Sequence, residues 1–185
     1  MTETKTLKGF IYKDDFLTTD EELLLLDWIY KQTWNTSLAR RTQHYGHVYQ
    51  YKYASSNPTS AEPVPDFLIQ LFEKVVSSGL GQPLVNESNP VNLQVIINEY
   101  TAGQGIFAHI DDPSQFGKWI VGISLGSHTV MNFSNGHSHT LRRCSIYEMR
   151  DYARYSVKHS IPPRKTDPLI GARSTRISIT FRHKN

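Results

Sequence analysis

The chain has a single cysteine, Cys144, so neither a disulfide framework nor a cysteine-built zinc site is available to it. It has no long hydrophobic run. The longest candidate, Leu23 to Leu26, is followed at once by Asp27, far short of the roughly 18 residues a membrane helix needs. The opening Met1-Thr2-Glu3-Thr4-Lys5 lacks the basic-then-apolar order of a secretory signal, which predicts an intracellular protein of cytoplasm or nucleus. Glycine is sparse at first, Gly9 being the only one before Gly46. Repeats, low-complexity tracts and an internal linker are also missing. What is there is a core-forming composition. Of 185 residues, 38% are hydrophobic and 20% charged, which excludes a disordered chain and predicts one domain over 1–185.

Net charge is only +3, yet it is unevenly spread. Residues 1–100 carry 8 Lys+Arg against 12 acids, and residues 101–140 carry 1 against 2. Residues 141–185 carry 11 against 3, and eight of those eleven cations are Arg. The planar guanidinium fork suits carboxylate and phosphate. Charge alone leaves two readings, a solvated basic edge or a surface that faces an anion.

Thr19, followed three residues on by Glu22, reads as the capping box of a helix through Tyr30, with Leu25, Trp28 and Ile29 on one face. Pro65 suits the first turn of a second helix. Leu68, Leu71, Phe72 and Val75 follow at i, i+3, i+4 and i+7, and Gly79 ends it. Phe10 to Tyr12 reads as an early strand. After residue 90 the period shifts to two, predicting strands over 93–100, 119–125, 129–133, 144–149 and 176–182. Helices followed by many short strands predict an α+β fold: N-terminal helices and a ribbon (1–90) packed outside a β-sandwich or jelly roll (91–185).

Residues 41–53 read as that ribbon. Tyr45, His47, Tyr49, Tyr51 and Tyr53 alternate, so a regular strand sets them on one face behind Arg40 and Arg41. Such a face either stacks bases and holds phosphates or packs on the core, and the spacing does not choose between them.

Three short patterns carry chemistry. In His109-Ile110-Asp111, a strand points the imidazole and the carboxylate the same way, as half of a facial iron site that needs a second His. With 8 His and 9 Asp in the chain, chance supplies about 0.4 such pairs, so the pair alone decides nothing. Arg176 to Arg182 alternates strictly. Ile177, Ile179 and Phe181 take one face, and Arg176, Ser178, Thr180 and Arg182 the other. That polar face meets water at an edge or, turned inward, needs anions such as a dicarboxylate. Asn98 and Tyr100 share a face just before the H-x-D and offer an amide and a phenol to an anion, or cap a strand end.

The order N-x-Y, H-x-D, a later His and a final R-x5-R resembles the AlkB family of iron(II)- and 2-oxoglutarate-dependent dioxygenases. The likeness runs from about Arg41 to Lys184. It includes Gly103-Gln104-Gly105, Ser124-Leu125-Gly126-Ser127, Val130-Met131-Asn132-Phe133, Ala153-Arg154-Tyr155 and Lys158-His159-Ser160-Ile161. The resemblance implies a double-stranded β-helix with Fe(II), 2-oxoglutarate as cosubstrate, and O2. It implies iron ligation by His109, Asp111 and His159. Arg176, helped by Tyr100, would take the far carboxylate of the keto-acid, and Asn98, Ser178 and Arg182 the rest of it. Tyr45, His47 and Tyr49 would form the substrate surface. Four positions depart from the pattern: Ser178 where Asn is common, Val157 where an aromatic is frequent, Asp151 where Gly is frequent, and His47 where a base-stacking Tyr is common. The ligand set is untouched by them; the substrate is left open.

The activity implied first is oxidative demethylation of N-alkylated bases in single-stranded DNA or RNA, releasing succinate, CO2 and formaldehyde. The stretch from Gly103 to Ser127 looks most like the branch that hydroxylates a modified wobble uridine in transfer RNA. In animals that branch carries an RNA-recognition module and a methyltransferase domain. These 185 residues have room for neither, so RNA contact would fall to the chain's own basic surface or to a partner. A protein substrate, or a non-catalytic binding module, is the remaining alternative. A monomer with no membrane partner is expected.

Overall fold

The computed structural model describes residues 6–47, 61–81 and 92–185. In chain order the first elements are β1 (Phe10–Lys13), α1 (Thr19–Tyr30), β2 (Arg41–Tyr45), α2 (Asp66–Ser77) and β3 (Leu93–Tyr100). Next come β4 (Ile106–His109), β5 (Phe116–Gly126), β6 (Thr129–Phe133), β7 (Ser138–Leu141) and β8 (Ser145–Arg150). The last are α3 (Asp151–Tyr155), β9 (His159–Ile161), β10 (Thr166–Asp167), β11 (Gly171–Ala172) and β12 (Arg176–Lys184). Among the described residues, no helix is long and apolar enough to cross a membrane.

Helix α1 opens one residue earlier than the spacing predicts. Thr18 is the cap: its hydroxyl accepts the Glu21 N–H at 3.2 Å, and the Glu21 carboxylate accepts the Thr18 N–H at 2.8 Å. Glu22 is released from that role and is fully buried. It accepts the Gly126 N–H at 2.7 Å and pairs with Arg143, tying α1 to the turn after β5. Helix α2 starts after Pro65 and stops before Gly79, whose φ of +83° is one that glycine adopts without strain.

Among the described residues, ten strands form two antiparallel sheets, the larger ordered β1-β8-β5-β12-β3-β2 and the smaller β4-β9-β6-β7, while β10 and β11 make a separate hairpin. This is the two-sheet jelly-roll architecture the strand pattern predicts. Both edges of the larger sheet, β1 and β2, come from before residue 90, so that position is no boundary in the sheet. The two-residue period of each strand sorts its side chains into two cores. Val95, Ile97, Val121, Ile123, Ile177, Ile179 and Phe181 face outward, where Leu25 and Ile29 of α1 and Leu68, Leu71 and Val75 of α2 cover them. Ile120, Tyr147 and Met149 turn inward with Met131 and Phe133 of the smaller sheet. The polar face of β12 therefore looks into the space between the sheets, flanked by β5 and β3.

Tyr45 is corrected by the structure. Strand β2 ends there, and its ring is buried against Trp28, with its hydroxyl donating to Gln43 Oε1 at 3.1 Å. Alternation alone could not tell a core-facing ring from a solvent-facing one. His47 is half-buried, and its carbonyl accepts the Gln94 side-chain N–H at 3.0 Å. Tyr49, Tyr51 and Tyr53 lie outside the described residues.

Candidate metal centre and cosubstrate pocket

Strands β4 and β9 pair so that His109 stands directly opposite His159, with ring centroids 4.3 Å apart. The strand reading of H-x-D is half right, because β4 ends at His109 and Asp111 lies beyond it. A buried arginine brings the carboxylate back. Arg154 of α3 donates Nη1 to the Asp111 carbonyl at 2.6 Å, Nη2 to the Phe116 carbonyl at 3.1 Å and Nε to the Gly117 carbonyl at 3.3 Å, cinching the 111–117 segment. One ligand atom from each of His109, Asp111 and His159 lies within 4.8 Å of the others.

The electrostatics suit a divalent cation. The His109 Nδ1 is 2.8 Å from the Phe107 carbonyl, which can only accept, so Nδ1 carries a proton and Nε2 is the ring nitrogen left to serve as a ligand. Burial pushes His159 down to about 4, against the pull of Asp111, leaving it neutral at physiological pH. Burial alone would raise the Asp111 carboxyl, but the Arg182 guanidinium, together with His159 and His109, outweighs it and holds the group below its ordinary value. Two imidazoles and one carboxylate on one side of a point are the donor set of a non-haem Fe(II) centre.

A cavity of about 490 Å³ opens over this triad. Asn98, Tyr100, Arg176, Ser178 and Arg182 all line it, because Tyr100 is the cross-strand neighbour of Arg176 and Asn98 that of Ser178. Arg176 is 4% exposed. Its Nε donates to Ser124 Oγ at 2.8 Å, and it lies 5.8 Å from the Tyr100 ring centre. Burial lowers its pKa, and among the described residues the charged or ionisable groups that act on it are Tyr147, Tyr100 and Arg173, with no carboxylate among them. A buried guanidinium without an acid is costly unless a ligand brings one, and the far carboxylate of 2-oxoglutarate fits that need.

Several participants are not marked by the sequence motifs. Tyr147 is buried in the cavity wall, its phenol pushed up to about 12 by burial. Gly122 makes room for it, since a Cβ there would lie 2.4 Å from the Tyr147 hydroxyl. The strand carrying Tyr147 is legible, but which face meets the cavity is set by its neighbours. Arg40 lines the mouth and donates Nε to Asn98 Oδ1 at 2.8 Å, which turns the amide N–H groups away from it. His47 is not among the residues lining the cavity.

An inward-facing polar strand and a His-x-Asp…His triad between two antiparallel sheets define the class of oxygenases that couple a keto-acid to ferrous iron. The 2OG-Fe(II) oxygenase superfamily model matches residues 28–182, and the chain belongs to that superfamily. It is 33% identical over 192 residues to the uncharacterized protein L905 of Acanthamoeba polyphaga mimivirus, covering 99% of this chain and 88% of that one. It is 31% identical to the tRNA (carboxymethyluridine(34)-5-O)-methyltransferase alkbh8 of Xenopus tropicalis, over 94% of this chain and 31% of the relative. It is 29% identical to the alkylated DNA repair protein ALKBH8 homolog of Arabidopsis thaliana, over 95% of this chain and 58% of that one. The chain thus spans under a third of the Xenopus relative and just over half of the Arabidopsis one. In fold it matches the solved structure of OsALKBH1 with a TM-score of 0.70 at 14% identity, covering 96% of this chain and 99% of that one. Within that superfamily the chain is similar in sequence to ALKBH8 proteins and in fold to OsALKBH1.

Proposed function

We propose that the substrate is nucleic acid and the reaction oxidative demethylation of N-alkylated bases in single-stranded DNA or RNA. The observation that carries this reading is the triad-and-arginine cavity in a chain whose relatives are named for tRNA modification and alkylated-DNA repair. His109, Asp111 and His159 would hold Fe(II). When bound, the metal supplies the oxidising chemistry: 2-oxoglutarate and O2 become succinate and CO2, and one oxygen atom enters a substrate C–H bond. On an N-methyl group the product is a hydroxymethyl amine, which releases formaldehyde and leaves N–H.

The chain's own residues position and protect. Arg176 grips the far carboxylate of the keto-acid, with Tyr100, Tyr147 and Ser178 around it. Arg182 holds Asp111 in place. Ile96, Ile120, Met131 and Met149 line the cavity and keep it dry. A second reading, hydroxylation of a modified wobble uridine, is favoured by the relative named for carboxymethyluridine 34 of tRNA. Mass spectrometry of nucleosides separates the two after incubation of methylated oligonucleotides and total tRNA with enzyme, Fe(II) and 2-oxoglutarate. Loss of one CH2 supports demethylation, and gain of one oxygen supports hydroxylation. Succinate formed with neither change overturns both in favour of a protein substrate.

A further inference from the structure

We propose that Phe107 is a stacking platform for a nucleobase at the cavity mouth, an inference that rests on the nucleic-acid reading above. Strand β4 is an edge of the smaller sheet, and its ladder to β9 shifts register between Ile106 and His109. Such irregularities re-aim side chains beside active sites. Here the result is that Ile106, Phe107 and His109 all line the cavity, although strict alternation would send Phe107 away from its neighbours. Phe107 is 91% exposed. A phenylalanine so bare on a sheet edge invites contact, and sheet edges are ordinarily guarded by charge.

Two further facts tie that ring to the chemistry. The Phe107 carbonyl receives the Nδ1 proton of His109 at 2.8 Å, so whatever rests on the ring is held in register with a metal ligand two residues away. The same cavity is lined by Leu38 and Arg40, the latter held by its bond to Asn98 and lying 5.9 Å from the Tyr100 ring centre. One aromatic face and one guanidinium at a single opening match a nucleotide, with base on ring and phosphate by cation.

The test uses the full chain loaded with Fe(II) and 2-oxoglutarate without oxygen, and short single-stranded RNA and DNA probes of mixed sequence. Phe107→Leu is expected to weaken probe binding about tenfold, within what one base-on-aromatic contact contributes. Phe107→Trp is expected to restore it. That variant also adds a fourth tryptophan to the three present, whose emission should fall when a base stacks on it. Leu23→Ser, on the exposed face of α1, serves as a surface comparison and should bind as the unaltered chain does. Leu and Trp variants that both bind like the unaltered chain overturn the platform while leaving the nucleic-acid reading standing. An unaltered chain that binds neither probe overturns that reading and the platform with it.

Discussion

Arg182 Nη2 stands 2.7 Å from Asp111 Oδ1, while the other carboxylate oxygen, Oδ2, faces His159 Nε2 at 3.7 Å. One oxygen is thus engaged by a guanidinium and the other is turned toward the second imidazole and the metal position. The arrangement orients the ligand and keeps its negative charge from being neutralised by a proton. Arg182→Gln removes a cation that lowers the pKa of both Asp111 and His159. Protons then compete better with the metal, so the acid limb of Fe(II) uptake should move to higher pH. A titration of metal binding against pH reads the shift, and an unmoved limb contradicts the role.

His109→Ala and Asp111→Ala should each reduce succinate formation to background and abolish stoichiometric iron binding. The far-ultraviolet circular dichroism of both variants should remain that of the unaltered chain, because neither residue belongs to the two apolar clusters. Succinate production by either variant at the unaltered rate would refute the triad.

Arg176→Met should raise the Michaelis constant for 2-oxoglutarate about 10- to 100-fold, the loss expected for a charge-assisted pair with a carboxylate. The same change removes a buried charge that has no carboxylate acting on it among the described residues. The keto-acid-free protein should therefore melt about 2–4 °C higher, equivalent to roughly 1 kcal/mol in a chain of this size. Steady-state kinetics and calorimetry with and without 2-oxoglutarate check the two halves separately.

Arg154→Met removes the three hydrogen bonds that this side chain donates to the carbonyls of Asp111, Phe116 and Gly117. We expect iron affinity to fall about 10- to 100-fold, in the range for groups that orient a ligand rather than bind the metal. Arg154→Lys, with one point donor for three acceptors, should recover only part of it. Equal iron affinity in all three proteins would show that the 111–117 segment holds its shape unaided.

His44 makes stability pH-dependent. Burial, with Arg182 and Arg40 nearby, pushes it down to about 4 from an ordinary 6.5, so the unfolded chain takes up a proton that the folded one refuses. Stability is complete above pH 6.5 and is lost as pH falls toward 4, by about 3 kcal/mol at full depth. His159 adds a contribution of the same sign in the metal-free protein. Urea unfolding at pH 7 and pH 4.5 should show the loss, and His44→Gln should reduce it. An undiminished loss in that variant would assign it elsewhere.

Much of this is legible in the sequence, and the gaps have physical causes. The bounds of β3 and β6 match the predicted strands residue for residue, because long alternating segments state their own period. The inward face of β12 could not be decided from its alternation, which reads the same for a wet edge as for a cavity wall. The capping box was displaced by one residue because Thr18 and Thr19 both have Glu three positions on. Asp111 was reached by the right motif for an incomplete reason, since a loop held by Arg154, rather than strand geometry, turns it toward the histidines. Tyr147, Phe107 and Arg154 went unassigned because their roles depend on register, a bulge and backbone acceptors, none of which leaves a mark on residue type.

Strand β12 pairs with β3 on one side and β5 on the other, and both precede it in the chain. A nascent polypeptide that has not yet emerged past residue 176 therefore holds two strands whose facing edges lack the strand that joins them, and it lacks both cavity-lining arginines of β12. On the ribosome the sheet must wait for its middle to arrive, so shielding by chaperones is needed most in the interval just before it does.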